Sequence, residues 1–161
     1  MRLVLNASPI ICLAKAGLLE KVLTLATEVR VPRAVQDEIS ATRDGQDPAV
    51  LWLKSPLGIQ AVVEVETPPA LILAWDLGAG EASVVTAARA APDRVAVLDD
   101  LAGRRCALAL GLQVIGTLGL LLKANLHGVI PALQPALAAV RQAGLYVSPK
   151  HLAEISKLGV G

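Results

Sequence analysis

The chain has 161 residues, 54% of them hydrophobic and 18% charged, with a formal net charge of +1 at pH 7. That length suits a single domain over residues 1–161 with a substantial core, and the apolar content excludes a disordered chain. Near-neutral charge excludes a global pull toward nucleic acid, and 2% aromatics with no Phe exclude a base-stacking platform of the RRM or OB type.

In chain order, residues 3–5 read as a short buried strand that stops at Asn6. Ser8 before Pro9 reads as an N-cap hydroxyl with proline in the first turn, opening a helix to residue 16 that ends at Gly17. A second helix is expected over 18–26, then a strand over 28–31 closed by Pro32 and a helix over 33–41. A loop at 44–46 leads to Asp47-Pro48, which opens a helix to residue 54. Residues 60–65 alternate enough to predict a strand, ended by Pro68-Pro69. A short helix over 70–75, a glycine turn at 77–80 and a helix over 81–90 precede an apolar, β-branched strand over 94–98 that stops at Asp99-Asp100. A helix to residue 110 capped by Gly111, a strand over 113–115 and a helix from Gly116-Thr117 to about 125 come next. Helices over 131–143 and 149–158 complete the pattern.

Residues 106–122 carry no charge, but Gly111, Gln113, Gly116, Thr117 and Gly119 interrupt them, which fits a helix end, a strand and a new helix better than a membrane span. The N-terminus enters a strand at once, so no signal peptide is expected. Cys12 and Cys106 lie in apolar helical patterns without a CxxC spacing, the pattern of reduced core thiols in a cytoplasmic protein.

Strands with near-continuous apolar cores, separated by helices, predict an α/β fold with a parallel sheet covered on both faces. Right-handed crossovers then align the C-terminal strand ends along one edge, where ligands bind in such sheets. Asn6, Asp99, Asp100 and Thr117 fall on that edge, with Glu81 at a helix start and Glu38 in the helix after Pro32. These are oxygen donors without histidine or cysteine, the ligand set of a hard cation, Mg²⁺ or Mn²⁺. Gathered carboxylates repel one another, a cation relieves that repulsion, and it can polarise a phosphate oxygen with no need for aromatic stacking. Each residue also has a plainer role: Asp99-Asp100 as turn and helix cap, Glu81 as a favourable charge at a helix N-terminus, Glu38 as a solvated helix residue.

Five segments in order, NASPIICLAKAG, VPRAVQDEI, LGAGEASVV, LDDLAGRRCA and LQVIGTLGLLLKANLHGVI, resemble the PIN-domain family, closest to its VapC-like branch with an N-terminal Asn/Asp-x-Ser-Pro segment. The resemblance runs over residues 3–130 and extends into the tail at 131–157. It implies a three-layer α/β/α sandwich with a central parallel sheet and Mg²⁺- or Mn²⁺-dependent cleavage of RNA phosphodiesters. It also implies a toxin held inactive by a small antitoxin protein, and a homodimer. The family's first acidic position falls on Asn6, the second on Glu38, the third on Glu81, and the fourth on Asp99 or Asp100. Thr117 matches the Ser/Thr near the pocket, and Arg104 matches a basic residue that either contacts phosphate or braces the pocket by an ion pair. Ser8, Arg104 and Thr117 are thus the candidate substrate-binding residues. The departure is Asn6, which brings a carbonyl oxygen but no charge, so a rival reading is a weakened or inactive PIN-like module that binds RNA or protein.

Other chemistries fit less well. A Walker phosphate loop is absent, and Gly78-Ala79-Gly80 follows a helix-like stretch instead of the first strand. Receiver and haloacid-dehalogenase-type sites need Asp near the end of the first strand, and Cys12 lacks a histidine partner. A mean hydropathy of +0.58 predicts apolar helix surface for a homodimer, with an antitoxin segment reaching the acidic groove through a basic residue.

Overall fold

In a computed structural model of the chain, which describes residues 1–159, five strands form one all-parallel sheet. They are β1 (Arg2–Leu5), β2 (Glu28–Pro32), β3 (Val62–Val63), β4 (Arg94–Val97) and β5 (Gln113–Ile115), in the spatial order β3-β2-β1-β4-β5. β1 is central, and Leu3, Val4 and Leu5 are fully buried because helices cover both faces. The register sets Leu5 beside Val97 and Val97 beside Ile115, so the chain leaves three neighbouring strands at one edge. The Asn6 amide donates to Val97 O at 3.2 Å and the Leu98 amide to Ile115 O at 2.9 Å, extending the ladder into the residues that form the site.

Helices α1 (Ala7–Lys15) and α2 (Leu19–Leu23) connect β1 to β2, and α8 (Leu101–Ala109) connects β4 to β5. These crossovers step in opposite directions across the sheet, so right-handedness puts them on opposite faces. Helices α3 (Arg33–Thr42), α4 (Pro48–Lys54) and α5 (Pro56–Ala61) lie between β2 and β3. Between β3 and β4 come α6 (Ala70–Leu73) and α7 (Ala79–Arg89), and α9 (Thr117–Leu126), α10 (Leu133–Gln142) and α11 (Pro149–Leu158) close the chain. α7 buries Ala82, Val84, Val85, Ala87 and Ala88 against β1, β2 and β4, while α1, α4, α9 and α10 pack around the other side. The result is the α/β/α sandwich expected from the strand pattern.

Gly17 and Gly111, both at φ +70°, stop α1 and α8 where the cap reading placed them, because a Cβ is strained in that left-handed conformation. Cys12 and Cys106 are free and buried. No helix among the described residues is long and apolar enough to cross a membrane.

Two of the expected elements have other bounds. The strand predicted over 60–65 shrinks to Val62–Val63, and residues 56–61 form α5 instead. Ser55 before Pro56 starts that helix, its hydroxyl accepting the Gly58 amide at 3.2 Å, much as Asp47 accepts the Ala49 amide at 2.9 Å to start α4. Gly58 lets α5 turn tightly against α4: a Cβ there would stand 2.1 Å from the Trp52 carbonyl oxygen. The second helix, expected over 18–26, ends at Leu23, because the Thr27 amide must reach Met1 O (2.8 Å) to bring β2 alongside β1.

Candidate active site

Asn6 follows β1 directly and occupies the N-cap position of α1, where it is 2% exposed. It makes no capping bond. Its Nδ2 instead donates to Glu81 Oε1 at 3.0 Å, from the first turn of α7. That bond orients the carboxamide and leaves Asn6 Oδ1 buried without a hydrogen-bond donor. Glu38, from α3, comes to the same place: a Cβ built on Gly80 would lie 2.6 Å from Glu38 Oε2 and 3.1 Å from Asn6 Oδ1. Residue 80 therefore has to lack a side chain for these two oxygens to converge.

Partial desolvation, and then the charge of Glu81, push the Glu38 carboxyl above its ordinary value. The native chain thus holds its proton to higher pH than the unfolded chain, so ionising Glu38 costs stability, and the cost disappears as pH falls. In the metal-free protein Glu38→Gln is expected to raise the melting temperature at about pH 7 and to change little below about pH 4, where both forms are neutral. A variant less stable than wild type at neutral pH would contradict this electrostatic account.

A second group forms around Asp99, two residues past β4. Its Oδ1 accepts the Thr117 amide at 2.7 Å, and its Oδ2 accepts the Thr117 hydroxyl at 2.7 Å and the Ser8 hydroxyl at 3.3 Å. Donors from two helix starts hold this carboxylate in one orientation, and Thr117 is itself fully buried. Burial, and then the charge of Asp99, raise the Cys12 thiol above its usual value, which fits a core cysteine. Ser8 is therefore not the N-cap of α1. The helix begins at Ala7, two residues earlier than a Ser-Pro start requires, and this turns the hydroxyl toward Asp99.

Asp99 and Asp100 part company. Asp100 is exposed, and its Oδ2 accepts the Gly103 amide at 2.9 Å as the N-cap of α8. Arg104 is half-buried; its Nη1 donates to Leu98 O at 3.1 Å and reaches the Gly116 turn beside Asp99 Oδ1. Among the described residues no carboxylate lies within ion-pair distance of Arg104.

Asn6, Glu38 and Glu81 thus meet around Gly80, while Ser8, Asp99 and Thr117 meet beside Gly116. Among the described residues no three His, Cys, Asp or Glu side chains form a group that could hold a metal ion by themselves. The fit to a divalent cation rests on the first group: an orphaned buried amide oxygen beside a carboxylate, with a second carboxylate adjacent, is an all-oxygen arrangement lacking only positive charge. Gly80 escaped the sequence reading, which took it for part of a turn. Its signal was a glycine in the first turn of a helix, where propensity does not favour it.

Comparison with known proteins identifies the family to which this fold belongs. The family model DUF3368, described as PIN domain, matches residues 2–159. No curated protein and no solved structure gives a significant match. PIN domains are a nuclease fold that typically works with divalent metals. A match over almost every residue, on a parallel sheet whose strand ends converge on these carboxylates, places the chain in the PIN-domain family.

Proposed function

We propose that the chain is a metal-dependent endoribonuclease that uses Mg²⁺ or Mn²⁺ and acts as the toxin of a VapBC-type pair. The observation that carries the reading is Asn6 Oδ1, buried without a donor beside Glu38 and held in place by Glu81. Asn6, Glu38 and Glu81 would hold the cation, with Asp99 offering a further carboxylate across the cleft. A bound divalent cation supplies charge stabilisation at a phosphate oxygen and eases deprotonation of an attacking water. The chain's own part is to hold these oxygens rigidly. Thr117 and Ser8 hold Asp99 in one orientation, and Arg104, without a carboxylate partner among the described residues, would meet the substrate phosphate.

RNA cleavage that requires Mg²⁺ or Mn²⁺, stops in EDTA and is lost in Asp99→Ala is the expected result. Cleavage that survives EDTA or the substitution belongs to a contaminant and defeats the reading. In this proposal the protein works in the cytoplasm as a homodimer and is silenced by a small antitoxin protein that enters the same groove. Exposed Leu101 and Leu108, one face of α8, supply apolar surface for such contacts. Light scattering that finds only monomer at micromolar concentration refutes the dimer.

One observation favours a second reading. Asn6 brings an amide where a carboxylate would add charge, and part of Glu81's accepting capacity is spent on that amide. A PIN-like module that binds RNA or protein without cutting fits this, and metal-independent RNA binding without cleavage would decide for it.

A further inference from the structure

We propose that Trp75 is a base-stacking residue of this site, taking a nucleobase of single-stranded RNA next to the phosphate held at the oxygen cluster. The inference rests on the ribonuclease reading and gives it a base-contacting residue. The chain has three aromatic residues, Trp52, Trp75 and Tyr146. Trp52, a residue of α4, is 6% exposed, and Tyr146 lies in the connection between α10 and α11 beside Arg141 and Val147. Trp75 is 38% exposed and stands three residues before Gly78, the N-cap of α7. Gly78 touches the candidate site: a Cβ there would lie 2.5 Å from Glu81 Oε2. Three peptide units cover at most about 11 Å, so the Trp75 backbone lies within that distance of the rim that Gly78 forms beside Glu81.

The neighbouring chain fixes that rim. Ile72 is fully buried and anchors α6, the Trp75 amide donates to Ile72 O at 3.0 Å, and Asp76 turns the chain at φ +51° toward α7. The Glu81 side chain also approaches α8, with its Cγ 3.4 Å from a Cβ built on Gly103, next to Arg104. Glu81 thus borders both Gly78, three residues after Trp75, and the turn of the helix bearing Arg104. An RNA strand crossing between them would set a phosphate against the cation and Arg104 while a base reaches the indole. Stacking is indifferent to sequence because every base has a π-face, so this contact would position RNA without selecting a base.

The test is a fluorescence titration of the full chain with a single-stranded RNA octamer, in Ca²⁺ in place of Mg²⁺ and with RNA integrity checked on a gel. Buried Trp52 supplies a constant background, so the expected result is a fall in the emission of Trp75 as RNA saturates. In anisotropy with labelled RNA, Trp75→Ala should bind about 5- to 150-fold more weakly. Trp75→Phe, which keeps a ring, should bind within about threefold of wild type yet show no emission change. RNA binding with unchanged emission, or undiminished binding by Trp75→Ala in a protein that melts like wild type, overturns the proposal and leaves the ribonuclease reading standing. Absence of RNA binding by the wild type overturns both. If Trp75→Ala leaves RNA binding intact and turns a dimer into a monomer, the exposed Leu71, Leu73 and Trp75 face another copy of the chain, and the stacking role is wrong.

Discussion

Exchanging Glu81 for glutamine is expected to lower the proposed metal-dependent RNA cleavage by at least about 100-fold, the scale on which supporting groups of a metal site already act. The substitution keeps the shape and removes the charge. Glutamine's carbonyl can still accept Asn6 Nδ2, which Glu81 Oε1 now does at 3.0 Å, so the melting temperature should hardly move. Glu81→Ala behaves differently. It strands the amide of a residue that is 2% exposed, an unsatisfied buried donor costing about 1–3 kcal/mol, or several degrees of melting temperature in a chain of this size. Equal losses of activity in the two variants, with a loss of stability only in alanine, identify a charge requirement. Wild-type cleavage rates in Glu81→Gln would remove Glu81 from the chemistry.

Asn6→Asp is expected to act in opposite directions with and without metal. In the metal-free chain it turns a hydrogen bond into two carboxylates facing each other at about the same distance, with Glu38 nearby. A hydrogen bond to a charged group is worth about 1.5–3 kcal/mol, and its loss is compounded by like-charge repulsion. The variant should therefore be less stable than wild type near neutral pH by about 2–3 kcal/mol. The carboxylates respond by holding protons to higher pH than they would in the unfolded chain, so the native state binds more protons and the deficit shrinks as pH falls. Adding Mn²⁺ should reverse the ranking, because the extra charge is then a ligand; affinity should rise by about 10-fold or more, as cation sites tighten with ligand charge. Calorimetric melting with and without Mn²⁺, together with titration of the metal, checks both halves. Unchanged Mn²⁺ affinity in Asn6→Asp would remove residue 6 from the ligand set.

The strands at 3–5, 28–31, 94–98 and 113–115 were legible because a parallel strand covered on both faces is mostly apolar, and Asn6, Pro32, Asp99 and Gly116 each interrupt one run sharply. Most helix limits were legible for the same local reason, since Gly17 and Gly111 end helices through their own backbone freedom. The stretch at 60–65 misled because alternation over six residues also suits the last turn of a short helix followed by an extended residue pair. The Ser55-Pro56 start was the better local signal.

At the candidate site, composition and order alone narrowed the chemistry to oxygen donors on one sheet edge, naming Asn6, Glu38, Glu81 and the Asp99-Asp100 pair. Residue types and strand ends are written in the chain, and parallel topology brings them together. What tertiary structure decided is how each oxygen is used. Asp99 and Asp100 are adjacent in sequence and chemically identical, yet one meets the Thr117 amide at the next crossover and the other caps its own helix. Ser8 looked like a cap and serves Asp99, and Gly80 looked like a turn and clears space for Glu38 beside Asn6. These assignments depend on distances between residues up to 91 positions apart, which side-chain packing sets and no local pattern encodes.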